Sequence, residues 1–301
     1  MWTNFLKKIK EGDRKSLARC ISLVENEAEG YEDFLQKLPN NNVPVIGITG
    51  PPGAGKSTLT DALIALLVND GKKVAVLCVD PSSPFNLGAL LGDRIRMSRW
   101  YNEPSVFIRS LATRGALGGL HPKILEITDT IKTADFDYII VETVGVGQSE
   151  IEIAGLADVT VLVIVPESGD EIQTMKAGIM EIADLFVVNK ADRPGANTFV
   201  KNLRLMLAPA FSNHDTEVKV IKTTASKNEG IVELKQEIEN SLQFSKTNDR
   251  KIWLMVEKVY FLLQKERMKL FNKATLKTSI EKELSNFNIY RFVANIIRKS
   301  S

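Results

Sequence analysis

The sequence predicts an α/β fold, a mainly parallel sheet with helices on both faces, extended by helical segments at each end. Three observations lead to it. Seven short apolar runs, at 43–49, 73–79, 105–109, 137–141, 159–165, 184–188 and 218–222, are mostly continuous rather than alternating, as in strands covered on both faces. Helical segments near 56–69, 120–133, 171–182, 196–208 and 230–243 separate most of them, and strand–helix alternation builds a parallel sheet. The two ends of the chain carry apolar residues at helical spacing instead.

Taken in order, residues 1–42 read as a helical extension. Phe5, Leu6 and Ile9, then Leu17, Ile21, Leu23 and Val24, place two helices before the turn-rich Pro39-Asn40-Asn41-Asn42. Residues 43–249 hold the strand–helix alternation. Residues 250–301 return to helix, with no Gly or Pro in 251–301. There Trp253, Leu254, Val256, Val259, Leu262 and Leu263 form one apolar cluster, and Ile289, Phe292, Val293, Ile296 and Ile297 a second. These segments read either as a pair of helices packing on their own domain or as an arm for self-association.

Composition narrows the function classes. The chain has 301 residues, 39 basic and 37 acidic, with a formal net charge of +2, which gives no electrostatic case for a nucleic-acid partner. No stretch approaches the ~20 apolar residues that span a membrane. Cys20 and Cys78 are far apart and suggest no disulfide framework. The N-terminus lacks a signal-peptide core. Together these place the protein in a reducing cytoplasm.

The first chemical motif is Gly50-Pro51-Pro52-Gly53-Ala54-Gly55-Lys56-Ser57, followed by Thr58. It matches G-x-x-x-x-G-K-[ST] between a buried strand and a helix, the P-loop of nucleoside triphosphatases. Glycines let the backbone curl so that N–H groups face a phosphate, and the helix N-terminus adds its positive end. Lys56 can reach the β- and γ-phosphates, and the Ser57 hydroxyl can ligate Mg²⁺. The run 138–145 delivers Glu142 to the carboxyl end of a strand, where ligands bind in open parallel sheets. Glu142 can hold Mg²⁺ through water or orient the attacking water, and Gly145 lets the backbone approach the γ-phosphate.

The base is read as guanine. Asn189-Lys190-Ala191-Asp192 follows a buried strand. An Asp192 carboxylate accepts two hydrogen bonds from the guanine ring N–H and exocyclic amine, and adenine offers neither, so adenine would leave a buried acceptor unpaired. Asn189 can bond the other edge of the purine, and the Lys190 stem can cover its face. Thr224, Ala225 and Ser226, after the 218–222 run, fit the loop whose backbone N–H meets the guanine oxygen. GTP or GDP with Mg²⁺ is the expected ligand.

Asp80 and Asp93 sit in Gly/Pro/Ser-rich stretches after the second run. They read either as carboxylates that meet Mg²⁺ when the γ-phosphate is present, or as a turn residue and a helix cap. Val146 stands where many small GTPases place a water-orienting Gln, and the nearest Gln is Gln148, so slow intrinsic hydrolysis is expected. The 166–176 stretch enters a helix at another strand's carboxyl end. His121 and His214 suggest no metal site or triad.

The set Gly50–Ser57, Asp80–Pro84, Leu90–Met97, Thr113–Leu120, Glu142–Glu150 and Asn189–Asp192 resembles the MeaB/ArgK/MMAA family, GTPase chaperones of adenosylcobalamin-dependent methylmalonyl-CoA mutase. The resemblance runs over roughly residues 5–300. It implies a homodimer joined through C-terminal helices that gates adenosylcobalamin loading onto an acyl-CoA mutase and helps eject damaged cofactor. It assigns Asp80 and Asp93 to a first switch region and Glu142 to a second. Gln173 and Lys176 fall in a third, which contacts the nucleotide site when the mutase is bound. Older naming of the family suggests the alternative, a transport- or metabolism-linked kinase.

Overall fold

The computed structural model describes residues 1–80, 97–113, 120–143, 145, 149–167, 183–210, 219–244, 249–284 and 287–300. They divide into two units, Met1–Leu254 and Met255–Ser301.

The first unit is built on a seven-stranded, wholly parallel sheet. Its strands are β1 (Val45–Thr49), β2 (Val74–Asp80), β3 (Val106–Ala112), β4 (Tyr138–Glu142), β5 (Val159–Ile164), β6 (Leu185–Val188) and β7 (Lys219–Lys222). They lie in the order β3-β2-β4-β1-β5-β6-β7. All seven apolar runs of the sequence are strands. β1, β5 and β6 are buried along their length because both faces are covered. Ile46 and Ile48 of β1, Val74 and Val76 of β2 and Val161 and Val163 of β5 face one core. Their alternates Val45, Ala75, Leu77 and Val79 face a second, as the period of two in a strand requires.

The first core is closed by α4 (Lys56–Asn69) and by α8 (Ile231–Phe244), through Leu59, Leu63, Leu67, Leu234 and Ile238. On the opposite face lie α5 (Ile124–Ile131), α6 (Ser149–Leu156) and the N-terminal α1 (Trp2–Lys10), α2 (Arg14–Glu25) and α3 (Tyr31–Gln36). Gly47 lets α6 sit close on β1, since a Cβ there would fall 2.6 Å from Ile153 Cγ1. The helix α7 (Ala196–Ala210) turns Ala196, Val200, Leu203 and Leu207 inward, with the last three against Leu162, Phe186 and Val220.

The N-terminal segment forms three helices where the sequence suggested two. Gly12 (φ +87°) and Gly30 (φ +80°) break it in the left-handed region, and Asp13 caps α2 by accepting from the Lys15 and Ser16 amides. Their buried residues Ile9, Leu17, Cys20, Ile21, Val24 and Phe34 belong to the second core. Arg109 of β3 fixes the end of α2 with a 2.8 Å bond to Glu25 Oε2.

The second unit holds most of α9 (Asp249–Lys269), with α10 (Lys273–Lys282) and α11 (Ile289–Ser300). The sequence suggested two helices here. Asn272 starts α10 by accepting from the Ala274 amide. Phe292 of α11 is buried and packs on Phe287, but its neighbours on the same apolar stripe, Ile289, Val293 and Ile297, are 57%, 48% and 57% exposed. Met255, Val256, Val259, Leu262 and Leu263 of α9 are likewise exposed. Among the described residues no helix is long and apolar enough to cross a membrane.

Candidate functional site

Because every strand runs the same way, the loops after β1, β4, β6 and β7 leave one edge of the sheet, and the loop contacts converge there. The β1–α4 loop takes left-handed backbone at Gly53 (φ +78°) and Gly55 (φ +90°). Gly55 caps α4 without a side-chain bond, so the helix end faces the loop. Lys56 is buried and its Nζ donates to the Gly50 and Pro51 carbonyls at 2.7 and 3.1 Å, which lays the ammonium across the loop mouth. Thr58 points out to solvent, as do Pro52 and Gly53.

Glu142, 4% exposed at the end of β4, meets α4 directly. Its Oε1 accepts from Ser57 Oγ at 2.6 Å and its Oε2 from Thr60 Oγ1 at 2.8 Å. Thr49 and Thr143 hydroxyls join the same two strand ends at 2.9 Å. Next along, Gly145 (φ +82°) lies so close to the P-loop that a Cβ would stand 2.0 Å from the Gly50 carbonyl oxygen and 2.5 Å from Lys56 Nζ. Only glycine fits.

Ser57 and Glu142 form an all-oxygen donor pair beside a phosphate loop. That suits Mg²⁺, which is held by one or two protein oxygens plus substrate phosphates and waters. Among the described residues no cluster of three or more His, Cys, Asp or Glu exists to hold a metal without such a substrate. Asp80 ends β2 at the same sheet edge. Asp93, Gln173 and Lys176 lie outside the described residues, as do Val146 and Gln148.

The base-side loops are tied to the P-loop by Asn189, 2% exposed after β6. Its Nδ2 donates to the Ala54 carbonyl at 2.9 Å. Its Oδ1 accepts from Thr223 Oγ1 and the Ala225 amide, both at 3.1 Å. The amide therefore links three loops within the protein, whereas the sequence reading directed it at the purine edge. Gly55 makes room for it, since a Cβ there would lie 2.4 Å from Asn189 Nδ2. Lys190 (φ +56°) reaches back to the Gly53 carbonyl at 2.7 Å, spanning the gap between the loops. Asp192 lies further out, paired with Lys227 at 3.0 Å. The hydrogen bond from Lys227 holds the Asp192 carboxyl below the usual carboxylate range, and its Coulomb attraction acts the same way. Thr224 and Ala225 are buried and Ser226 is exposed on the β7 loop.

Sequence reasoning missed two participants. Thr60 follows Ser57 by one helical turn, and that spacing is a signal for a shared face. Lys227 sits one residue past the base loop, and nothing in its neighbours announced a partner thirty-odd positions away in the chain.

A parallel sheet with a P-loop on its central strand and an Asn-Lys-x-Asp loop two strands away defines a P-loop NTPase of the GTPase class. Comparison with known proteins gives the family. Residues 17–275 match the model of the methylmalonyl-CoA mutase-associated GTPase MeaB, and the chain belongs to that family. A Pyrococcus abyssi protein named as a GTPase is 47% identical over 255 residues, covering 83% of this chain and 79% of that one. A fused isobutyryl-CoA mutase of Geobacillus kaustophilus is 38% identical over 239 residues, 74% of this chain but 22% of that protein. A crystal structure titled as a LAO/AO transport system kinase superposes with a TM-score of 0.72 at 26% identity, covering 99% of this chain and 96% of that one.

Proposed function

We propose that this protein is a Mg²⁺-dependent GTPase of the cytoplasm that acts as a chaperone for an adenosylcobalamin-dependent acyl-CoA mutase, gating cofactor loading and helping to eject damaged cofactor. The observation that carries the mutase link is the relative in which a homologous segment is part of a mutase polypeptide. A homologous segment fused to a mutase in that relative supports pairing of this separate chain with a mutase across an interface.

In this reading the P-loop backbone and Lys56 hold the β- and γ-phosphates. Ser57 and Glu142 hold Mg²⁺, which neutralises charge on the phosphate oxygens. Glu142 is kept in place by Thr60, and Asp192 reads the base from a frame tied by Asn189. Asp80 and Asp93 complete the metal side when the γ-phosphate is present. Gln173 and Lys176 approach the phosphates when the mutase binds, and a cation there stabilises charge in the transition state, an effect of about 10³–10⁵ in rate where it has been measured. The exposed apolar stripe Ile289, Val293 and Ile297 and that of α9 support a homodimer built by residues 250–301.

The test is GTP turnover by the full chain, alone and with a methylmalonyl- or isobutyryl-CoA mutase. Stimulation by the mutase that is largely lost in Lys176→Ala is the expected result. Turnover indifferent to any such mutase removes the chaperone reading. The structural relative titled as a kinase keeps a second reading in view, phosphoryl transfer to a protein or small molecule. Phosphate released to water with no acceptor present decides against it.

A further inference from the structure

We propose that Lys227 is a specificity-determining residue that acts through Asp192: its ammonium pins the carboxylate in the orientation that reads guanine. The inference rests on the reading of Asp192 as the base-recognition residue and names what makes that residue competent.

An unassisted carboxylate at this place would be poorly set for its task. Asp192 is exposed enough to rotate, its side chain being 40% accessible. Reading two adjacent donors of a planar base requires both oxygens in one plane at a fixed point, and each misplaced bond weakens discrimination. Lys227 Nζ lies 3.0 Å from Asp192 Oδ2 and bonds that oxygen alone. The neighbouring Arg193 is hydrogen-bonded to Glu167 at 2.5 Å, and it acts on Asp192 only through its charge.

Both ends of the pair stand on fixed backbone, which separates it from an ordinary surface ion pair. On one side, the Ala191 amide donates to the Thr223 carbonyl at 3.0 Å and fixes the residue before Asp192 to the β7 loop. On the other, Lys227 ends a tight turn (Ala225–Lys227). That turn is closed by paired Thr224 and Glu229 backbone bonds of 3.1 and 3.3 Å, and by the Lys227 amide on the Thr224 carbonyl at 2.8 Å. Asn228 follows in the left-handed region (φ +58°). Gly230 then packs against the Lys222 carbonyl, where a Cβ would come within 2.1 Å. The backbone on both sides is therefore fixed before the pair forms, and the side-chain ordering that remains keeps the contribution in the modest range of an exposed pair. The mutual stabilisation is visible on both partners, since the bond to Asp192 also raises Lys227 above the ordinary lysine range.

The experiment measures dissociation constants of the full chain for GTP, ITP and XTP. Lys227→Met is expected to weaken GTP binding about two- to fivefold, the span of an exposed ion pair. It is also expected to lower the GTP-to-ITP preference, because inosine lacks the exocyclic amine and uses less of the carboxylate. Lys227→Arg keeps the parent values. In the Asp192→Ala background, where no oxygen is left for the ammonium to position, adding Lys227→Met causes no further change in the affinity for GTP, ITP or XTP, as a residue acting through Asp192 requires. Equal losses in both backgrounds would assign Lys227 a direct nucleotide contact and overturn the proposal, as would parent-like affinity and preference in Lys227→Met. If Asp192→Ala alone binds GTP as tightly as the parent, the base-site reading fails first, and the inference with it. Lys227 is 56% exposed, so thermal melts of these variants are expected to match the parent.

Discussion

Replacing Asn189 with alanine tests whether the nucleotide loops are one assembly. The side chain has three partners, the Ala54 carbonyl, the Thr223 hydroxyl and the Ala225 amide. Thr223 can turn its hydroxyl elsewhere, but the other two are backbone groups of buried residues, Ala54 at 0% and Ala225 at 5% exposure. A buried polar group left without a partner costs about 1–3 kcal/mol, so two orphans cost about 2–6 kcal/mol. Water entering beside the exposed Ser226 satisfies the Ala225 amide, which leaves the Ala54 carbonyl as the lasting orphan at about 1–3 kcal/mol. For a unit of this size each kcal/mol lowers Tm by about 2–4 °C, so a drop of about 2–12 °C is expected by calorimetry or circular dichroism. Guanine-nucleotide affinity falls with it by at least about tenfold, equivalent to ~1.4 kcal/mol, because the P-loop and the base loop lose their shared tie. Asn189→Asp is no rescue, since it places a carboxylate oxygen against the Ala54 carbonyl. A Tm within about 1 °C of the parent, smaller than any single orphaned group predicts, together with unchanged affinity, would refute the brace.

Gly145→Ala forces a Cβ against the Gly50 carbonyl at a left-handed φ, which alone costs about 1–2 kcal/mol. Nucleotide titration should show GTP affinity reduced at least about tenfold, or ~1.4 kcal/mol, and parent-like binding would show that the P-loop and the β4 loop do not meet as described. Thr60→Val removes the donor to Glu142 Oε2, a bond to a charged acceptor worth about 1.5–3 kcal/mol, and urea unfolding should register that loss while Thr60→Ser restores it. Sedimentation of the full chain at micromolar concentration should show a dimer, and Val293→Asp, which puts a charge on the exposed stripe of α11, should shift it to monomer. A monomeric parent would dispose of the C-terminal arm.

The sheet was legible because parallel strands announce themselves as apolar runs, and each of the seven runs is a strand. The ends were less clear where burial is partial. β3 continues past the 105–109 run through Ser110 and Leu111 to Ala112, and Ser110 hid that continuation because an edge strand is only half covered. The helix expected from 120 begins at Ile124, as Pro122 interrupts the approach. α6 escaped notice because its apolar residues run almost into β5. The P-loop and the Asn-Lys-x-Asp loop were legible as local strings. The bonds from Thr60 to Glu142 and from Lys227 to Asp192 were not, because they join residues far apart in the chain and depend on strand order. Periodicity says that a strand exists, and it is silent on which strand lies beside it.

The position of β1 in that order has a consequence for how the chain is made. The strand that launches the P-loop has two neighbours, and both are synthesised much later: Val45 is paired with Ile139, and Ile46 with Val159. A ribosome adding about 5–20 residues per second leaves β1 without either partner for roughly 5–20 s after it emerges. Asn189 and Ala225, which fasten the loop, come later still. During that interval an apolar segment with unpaired backbone is open to wrong partners. α1 to α3, made before β1, contribute to the core on the β1–β2 face, so they are available to shelter part of it before the central ladder can close.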